Sequence, residues 1–363
     1  MPKKPTGTSE SPGAKDPLSA LQAVTEAQKI AFAPVLFQAA WAMRELGILA
    51  ELDRADSEGM TVQALAEKLA ISPYGVSVLL DMGLSGRIVL QDGDRYRLSK
   101  TGDFILNDKM TRINMNFAQN VCYQPMSRLI ESIRTGRPEG LKFFGEWETI
   151  YPALPVLPEP ARSSWFELDH YYSDRAFNDA LPYVFKSSPS LIFDIGGNTG
   201  RGTKCFVDYD PAVRVTILDI PEQIELARDN GKDHAYDERV AFHPINVLNS
   251  SDFPTGADIY WMSQFLDCFS EAEIIHILSG IRRSMKPEAR IMVLELFWDR
   301  QRFEGATFSL NAISLYFTCL ANGNSRFYRS REMIRCIESS GFEIRGDTDG
   351  LGLGHTLLEC YPI

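Results

Sequence analysis

From Ala20 to Leu52 apolar residues recur at helical spacing, with Ile30, Phe32, Leu36, Phe37, Ala40, Met43 and Leu46 on one wide face. The pattern predicts one or two amphipathic helices. Thr61 starts a short helix through Leu69, and Ser72-Pro73 supplies an N-cap and a first-turn proline for a second helix to about Met82. Val89–Leu98 alternates around Asp92-Gly93, the pattern of a β-hairpin. Two helices followed by a hairpin predict a winged-helix-like module over residues 55–102, within a mainly helical domain at 20–102. Residues 103–185 read as further helix, interrupted by the proline-rich run Tyr151–Pro158, and are expected to link two domains and wall a pocket. After residue 186 the period changes. Short apolar runs at Leu191–Ile195, Val213–Leu218, Val240–Pro244, Ile259–Met262 and Ile291–Leu296, then Phe342–Arg345 and His355–Cys360, alternate with amphipathic helical stretches. Such alternation predicts an α/β fold with a mostly parallel, doubly wound Rossmann-like sheet over 186–363.

Composition narrows the partners. The chain has 363 residues, enough for two domains, and 37 Lys and Arg against 48 Asp and Glu leave a net charge of -11. That balance repels phosphate backbones. The second helix of the winged-helix-like module, from Ile71 to Ser85, contains no Lys or Arg. A DNA-reading helix needs them, so nucleic acid is not an expected partner and a structural or dimerising role is. Residues 1–19 are expected to form a disordered tail, since Met1–Asp16 is rich in Pro, Gly, Ser and Lys with no apolar stretch. The apolar segment Ala31–Met43 is too short to span a bilayer. No membrane association and a cytoplasmic location are therefore expected. The six cysteines are scattered without a C-x-x-C pair or a Cys/His cluster, so they read as reduced, and no metal site is expected.

The densest chemical signal is Asp194-Ile195-Gly196-Gly197-Asn198-Thr199-Gly200-Arg201-Gly202, after a buried strand and before a helix. Glycines there allow a sharp turn and close approach of backbone to a ligand. Asp219 ends the next strand, where a carboxylate can accept both hydroxyls of a ribose. Loop and carboxylate together predict a nucleoside ligand. An acid at the strand end, Asp194, disfavours a pyrophosphate at the helix N-terminus and suits an ammonium group, which favours S-adenosylmethionine over NAD.

These segments, in this order from about residue 25 to the C-terminus, resemble the small-molecule O-methyltransferases of the plant caffeate and bacterial polyketide-tailoring type, with their winged-helix-like dimerisation domain. The family motif Asp-x-Gly-Gly-Gly-x-Gly is matched except that Asn198 stands for the third glycine. The resemblance implies an S-adenosylmethionine-dependent enzyme, a homodimer, acting on a small, aromatic hydroxyl compound. It places Gly196, Gly197 and Gly200 with Asp194 at the methionine part of the cofactor, Asp219 at the ribose, and Asn246 where the family has an Asp beside the adenine. Phe253-Pro254-x-Gly256-Ala257-Asp258 matches the family's lead into the fourth strand.

The catalytic positions depart from that pattern. The family's His-Asp-Trp reads Asp267-Cys268-Phe269 here, so the base position holds Asp267. Glu295 has the spacing of the family's His-orienting Glu, Ser325 replaces a second Glu, and Ser263 stands where a cofactor-contacting Lys does. An Asp of ordinary pKa, about 4, is a weak base for a phenol of about 10, and burial beside Glu295 is the expected remedy. The sulfonium is itself a reactive donor, so alignment can supply much of the acceleration. The alternative reading of Asp267 is a helix N-cap before Ser270-Glu271. His170, in the linker, is the best placed substitute base; His243 and His276 read as packing or surface residues. Trp165, Phe166, Tyr171, Tyr172 and Phe177, with Trp298, Phe308, Tyr316 and Phe317, are candidates to hold a flat acceptor. Two other readings stay open on this evidence of residues: transfer to nitrogen or non-methylating chemistry on the same fold, and a winged-helix ligand-sensing regulator.

Overall fold

The computed structural model describes residues 17–234, 238–249 and 253–363; the tail read at 1–16 lies outside them. The chain divides between Arg112 and Ile113 into two compact units.

The N-terminal unit holds α1 (Ala20–Ala31), α2 (Ala33–Glu45), α3 (Ile48–Ala55), β1 (Met60–Thr61), α4 (Val62–Leu69), α5 (Pro73–Ser85), β2 (Val89–Asp92), β3 (Arg95–Leu98) and α6 (Lys100–Asn107). The run read as one or two helices is three. Pro34 stands in the first turn of α2, and Gly47, at φ +82°, starts α3. The later boundaries follow local chemistry: Thr61 Oγ1 accepts the Ala64 N–H (3.2 Å) and Ser72 Oγ the Gly75 N–H (3.1 Å), as N-caps do. The hairpin pairs Asp92 with Arg95 around Gly93, and β1 adds a third strand through Met60 opposite Tyr96. Two residues are too few to show period-two alternation, so β1 is invisible in the sequence pattern. Met43, Ile48, Leu49, Leu52, Leu65, Val76 and Leu80 form a core with no exposed surface, each contributing about 1.5–3 kcal/mol of burial. α1 buries none of its residues.

The chain crosses the division in α7 (Lys109–Phe117). The C-terminal unit continues with α8 (Leu129–Thr135) and the 24-residue α9 (Ala161–Val184). Then come β4 (Leu191–Ile195), α10 (Arg201–Tyr209), β5 (Arg214–Asp219), α11 (Pro221–His234), β6 (Val240–Pro244), β7 (Ile259–Ser263), α12 (Glu271–Ser284), β8 (Arg290–Glu295), α13 (Glu304–Tyr316), α14 (Ser330–Ser339), β9 (Phe342–Leu351) and β10 (His355–Pro362). The sheet order is β6-β5-β4-β7-β8-β10-β9. β6 through β8 are parallel, and β10 runs antiparallel to both β8 and β9. Side chains alternate faces along each strand. Phe193, Ile195, Tyr260, Met262, Ile291 and Val293 pack with Ile274, Ile277 and Ile281 of α12 and Met333 and Ile337 of α14. Ile192, Ile259, Trp261, Met292 and Leu294 pack with Phe177 and Leu181 of α9 and Phe206 of α10. β9 extends to Leu351, beyond the expected Arg345, because its pairing with β10 continues through Gly346 and, past a register shift at Gly350, to Leu351. Strand order reverses between β4 and β7, and in such sheets ligands bind outside the carboxyl ends of the strands at that point. Among the described residues no helix is long and apolar enough to cross a membrane.

Candidate active site

β4 runs directly into the glycine loop. Gly196 (φ +72°), Asn198 (φ +47°) and Gly200 (φ +81°) all take the left-handed region, which glycine, and among other residues chiefly Asn or Asp, adopts at low cost. At Gly196 a Cβ would stand 2.1 Å from the Phe265 ring, and at Gly197 2.9 Å from Ile217 Cγ2 and 3.1 Å from the Asp194 carboxylate. The absence of side chains is thus a steric requirement as well as a backbone one. Gly196→Ala is expected to destabilise the unit by about 1–3 kcal/mol, read as a lower melting temperature by circular dichroism.

Three carboxylates lie under and around this loop. Asp194 is buried and accepts the Thr203 hydroxyl (2.6 Å); burial pushes it up to about 6. Asp219, at the end of β5, accepts the Asn198 N–H (2.9 Å) and the Ile220 N–H (2.8 Å), and burial pushes it to about 6 as well. Asp169, on α9, accepts Asn198 Nδ2 (3.1 Å) and is pushed by burial to about 7. α9 makes further bonds to the same loop: His170 Nε2 meets Thr199 Oγ1 at 3.1 Å, and Asp174 pairs with Arg201. Burial, with the Arg201 charge, lowers His170 to about 4 and keeps it neutral.

Beyond β7 a short helical turn, Leu266–Cys268, carries Asp267. Glu295 Oε1, at the end of β8, accepts the N–H groups of Phe265 (3.0 Å) and Leu266 (2.8 Å), which anchors the start of that turn. From the other side Asn322 Nδ2 bonds the Cys268 carbonyl and, at 2.8 Å, Ser325 Oγ, so Ser325 serves the turn through Asn322. Asp267 is only 3% exposed, and burial followed by the Asp169 charge pushes it up to about 7. Glu295 is raised well above the usual carboxylate range by burial and by Asp267. Two like charges this close resist ionising together. Helix α12 is capped by Ser270, whose hydroxyl accepts the Glu273 N–H while Glu273 bonds back to Ser270 N at 2.8 Å. Asp267 is therefore not the helix cap that its sequence position allowed.

All of this opens on one cavity of about 800 Å³. Asp194, Gly196, Gly197, Asp219, Asn246, Ser263 and Asp267 lie on its wall. Gly200 and Glu295 do not: Gly200 opens α10 behind the loop, and Glu295 acts on the backbone of the turn. Asn246 is exposed, and its Oδ1 accepts the Leu248 N–H at 3.0 Å. Of the aromatic candidates, Trp165, Tyr172, Phe177, Tyr316 and Phe317 line the cavity, with Trp165 Nε1 donating to Tyr316 Oη at 2.6 Å. Phe166, Tyr171, Trp298 and Phe308 are elsewhere; Phe308 is 75% exposed, and Trp298 lies under the Arg329 guanidinium. His170 lines the cavity, whereas His243 and His276 do not. Among the wall residues that sequence reasoning did not single out are Asp169, Tyr151, Gln264 and Trp261. Gln264 stands at φ +48° and its Oε1 lies 2.7 Å from Nε2 of the buried His355. A polar residue on the cavity side of α9 was the one signal available for Asp169; the others follow from packing. Among the described residues no group of three or more His, Cys, Asp or Glu is placed to hold a metal ion.

Residues 24–96 match the Dimerisation2-like domain family and residues 177–343 the O-methyltransferase domain family. Acetylserotonin O-methyltransferase of Bos taurus is 26% identical over 272 residues, 72% of this chain and 77% of that protein. O-demethylpuromycin-O-methyltransferase of Streptomyces alboniger is 26% identical over 334 residues, 88% of this chain and 85% of that protein. The solved structure of mitomycin 7-O-methyltransferase shares the fold, with a TM-score of 0.70 at 22% identity, covering 94% of this chain and 98% of that one.

Proposed function

Since this chain belongs to the S-adenosylmethionine-dependent O-methyltransferase family, we propose that its cavity takes S-adenosylmethionine beside a small aromatic acceptor and methylates a hydroxyl of that acceptor. The observation that carries this is the convergence on one cavity wall of the glycine loop, Asp219 and Asp267.

The residues fit the cofactor. The loop leaves a cradle that a Cβ at Gly196 or Gly197 would disturb, and buried polar atoms of wall residues, Ser263 Oγ and Trp261 Nε1 among them, have no partner among the described residues. Asp219 would accept the ribose hydroxyls, Asn246 would stand beside the adenine, and Ser263, Asp194 and the loop would hold the amino-acid end, with Gly200 setting the loop's exit into α10. When bound, S-adenosylmethionine supplies an electrophilic methyl carried on a sulfonium. The acceptor hydroxyl then loses its proton to a carboxylate oxygen of Asp267, whose raised affinity for protons narrows the mismatch with a phenol. Glu295 is a positioning residue: it holds the turn that presents Asp267. Aromatic side chains shape the acceptor end and exclude water, and in-line positioning supplies the remaining acceleration.

Transfer to nitrogen, non-methylating chemistry and a winged-helix ligand-sensing regulator are not favoured. α5 carries no Lys or Arg with which to approach phosphates. Incubation with methyl-labelled S-adenosylmethionine and a panel of phenols tests the reading: label is expected on an acceptor oxygen, and a protein that binds donor and phenol yet moves no label contradicts it.

In this reading the N-terminal unit, whose residues 24–96 match a dimerisation domain family, pairs two copies of the chain. α1 leaves Leu21 78%, Val24 58% and Ile30 75% exposed, followed by Phe32 at 57% and Val35 at 55%. An isolated 12-residue helix is marginal without a surface to pack on, and a cluster of exposed large apolar side chains is a candidate contact surface. Sedimentation is expected to show a dimer that Leu21→Asp with Ile30→Asp converts to monomer; an unchanged dimer removes α1 from the interface.

A further inference from the structure

Tyr316, at the end of α13, lines the cavity and is only 4% exposed. Its hydroxyl oxygen accepts the indole N–H of Trp165 at 2.6 Å. An indole nitrogen can only donate, so the sense of that bond is fixed and it leaves the phenol hydrogen uncommitted. No hydrogen bond joins that hydrogen to any of the described residues. Its surroundings are apolar: the Phe117 ring packs edge-on at 5.1 Å between centroids, the Phe317 ring lies at 5.5 Å, and Leu310, Ile313 and Phe327 belong to the same cluster. Burial raises the Tyr316 hydroxyl well above the usual tyrosine range and keeps it protonated. Asp169 is near enough for its charge to act on Tyr316, yet it takes its hydrogen bond from Asn198. A buried donor without an acceptor is costly, and folded chains match nearly all of theirs. On the wall of a ligand cavity, the few polar groups among apolar ones are those that orient the ligand.

On the methyltransferase reading above, we infer that Tyr316 donates its hydrogen to a second oxygen of the acceptor, one that accepts a hydrogen bond, in addition to the hydroxyl that is methylated. The methylated oxygen itself is a poor partner: its proton goes to Asp267, and a donor on its lone pair would weaken the nucleophile. A carbonyl oxygen, which accepts in the plane of its own group, fixes how the ring lies and which hydroxyl meets the methyl. An apolar group in its place leaves the Tyr316 hydrogen unmet and is rejected on that ground. Protein saturated with S-adenosylhomocysteine is titrated calorimetrically with 2′-, 3′- and 4′-hydroxyacetophenone and with 2-, 3- and 4-isopropylphenol, which keep the shape and lack the carbonyl. At least one hydroxyacetophenone is expected to bind. Tyr316→Phe is expected to weaken it about tenfold or more while changing its isopropyl counterpart and S-adenosylhomocysteine less than about threefold. A merely structural effect of the variant would lower both phenols alike. Isotope-edited infrared spectra of the bound ketone give a second readout on the wild-type protein, which stands even if the variant does not fold: the carbonyl stretch is expected below that of the free ketone in an apolar solvent. Equal loss of both phenols, no loss of either, weakened S-adenosylhomocysteine in the variant, an unshifted carbonyl stretch, or no hydroxyacetophenone bound to the wild-type protein would overturn the proposal. Failure of S-adenosylhomocysteine to bind the wild-type protein counts instead against the methyltransferase reading itself.

Discussion

Asp267→Asn is expected to slow methyl transfer by about a hundredfold or more, the scale of a lost general base, while changing S-adenosylhomocysteine affinity less than about threefold. The substitution keeps the shape of the side chain and removes its capacity to take a proton. Asp267 is 3% exposed on the cavity wall, on a turn fixed by Glu295 from one side and Asn322 from the other, so the variant has little room to rearrange. The pH dependence has a definite sign. The competent form is the ionised carboxylate, whose affinity for protons is raised to about 7, so kcat/KM for the wild-type protein rises with pH through that region. The Asn variant has no group to titrate and loses this rise. At an ordinary carboxylate value near 4 the gap to a phenol would be about six units; burial halves it to about three. Steady-state kinetics between pH 5 and 9 check both statements, and unchanged turnover in the variant takes Asp267 out of the mechanism.

Asp219→Ala is expected to remove the rise in melting temperature that S-adenosylhomocysteine confers on the wild-type protein. The carboxylate accepts the N–H groups of Asn198 and Ile220 and keeps further lone pairs for a diol. Two charge-assisted hydrogen bonds to a ribose are worth about 1.5–3 kcal/mol each. Their loss weakens binding by about a hundredfold or more. Ligand at a hundred times its dissociation constant stabilises the wild-type fold by about 2.7 kcal/mol, and the same concentration stabilises this variant by less than about 0.5 kcal/mol. The two substitutions separate cleanly: one strikes turnover with binding intact, the other strikes binding. A thermal scan of each protein with and without ligand makes the comparison, and an undiminished shift in Asp219→Ala would place the nucleoside elsewhere.

Much of this was legible in the residues because each signal was local. The parallel strands are short apolar runs bounded by helices, and the loop at Gly196 to Gly200 announces itself by composition. Asp219 stands one βαβ unit later, at a position set by strand length alone. Legibility fails where contacts join distant segments. Asp169 reaches Asn198 across 29 residues, and the helical reading of 103–185 did not show that one 24-residue helix, α9, would carry Asp169 to the glycine loop. Glu295 was read from its spacing as a partner of the base side chain. In the folded chain it bonds instead to the backbone N–H groups of Phe265 and Leu266, a role no spacing rule distinguishes. Asp267 was read as a possible helix cap, but the reciprocal bonds between Ser270 and Glu273 give that role to Ser270. The substitution of Asn198 for glycine is likewise explained by folding: its backbone tolerates a φ of +47°, and its side chain gives the loop a bond to α9 that glycine cannot make.

The account rests on an adenosine-bearing ligand lying between the loop and Asp219, and calorimetric titration of the intact protein with S-adenosylhomocysteine asks this most directly. One site per chain with micromolar affinity is the result expected; no heat of binding at millimolar ligand would contradict it.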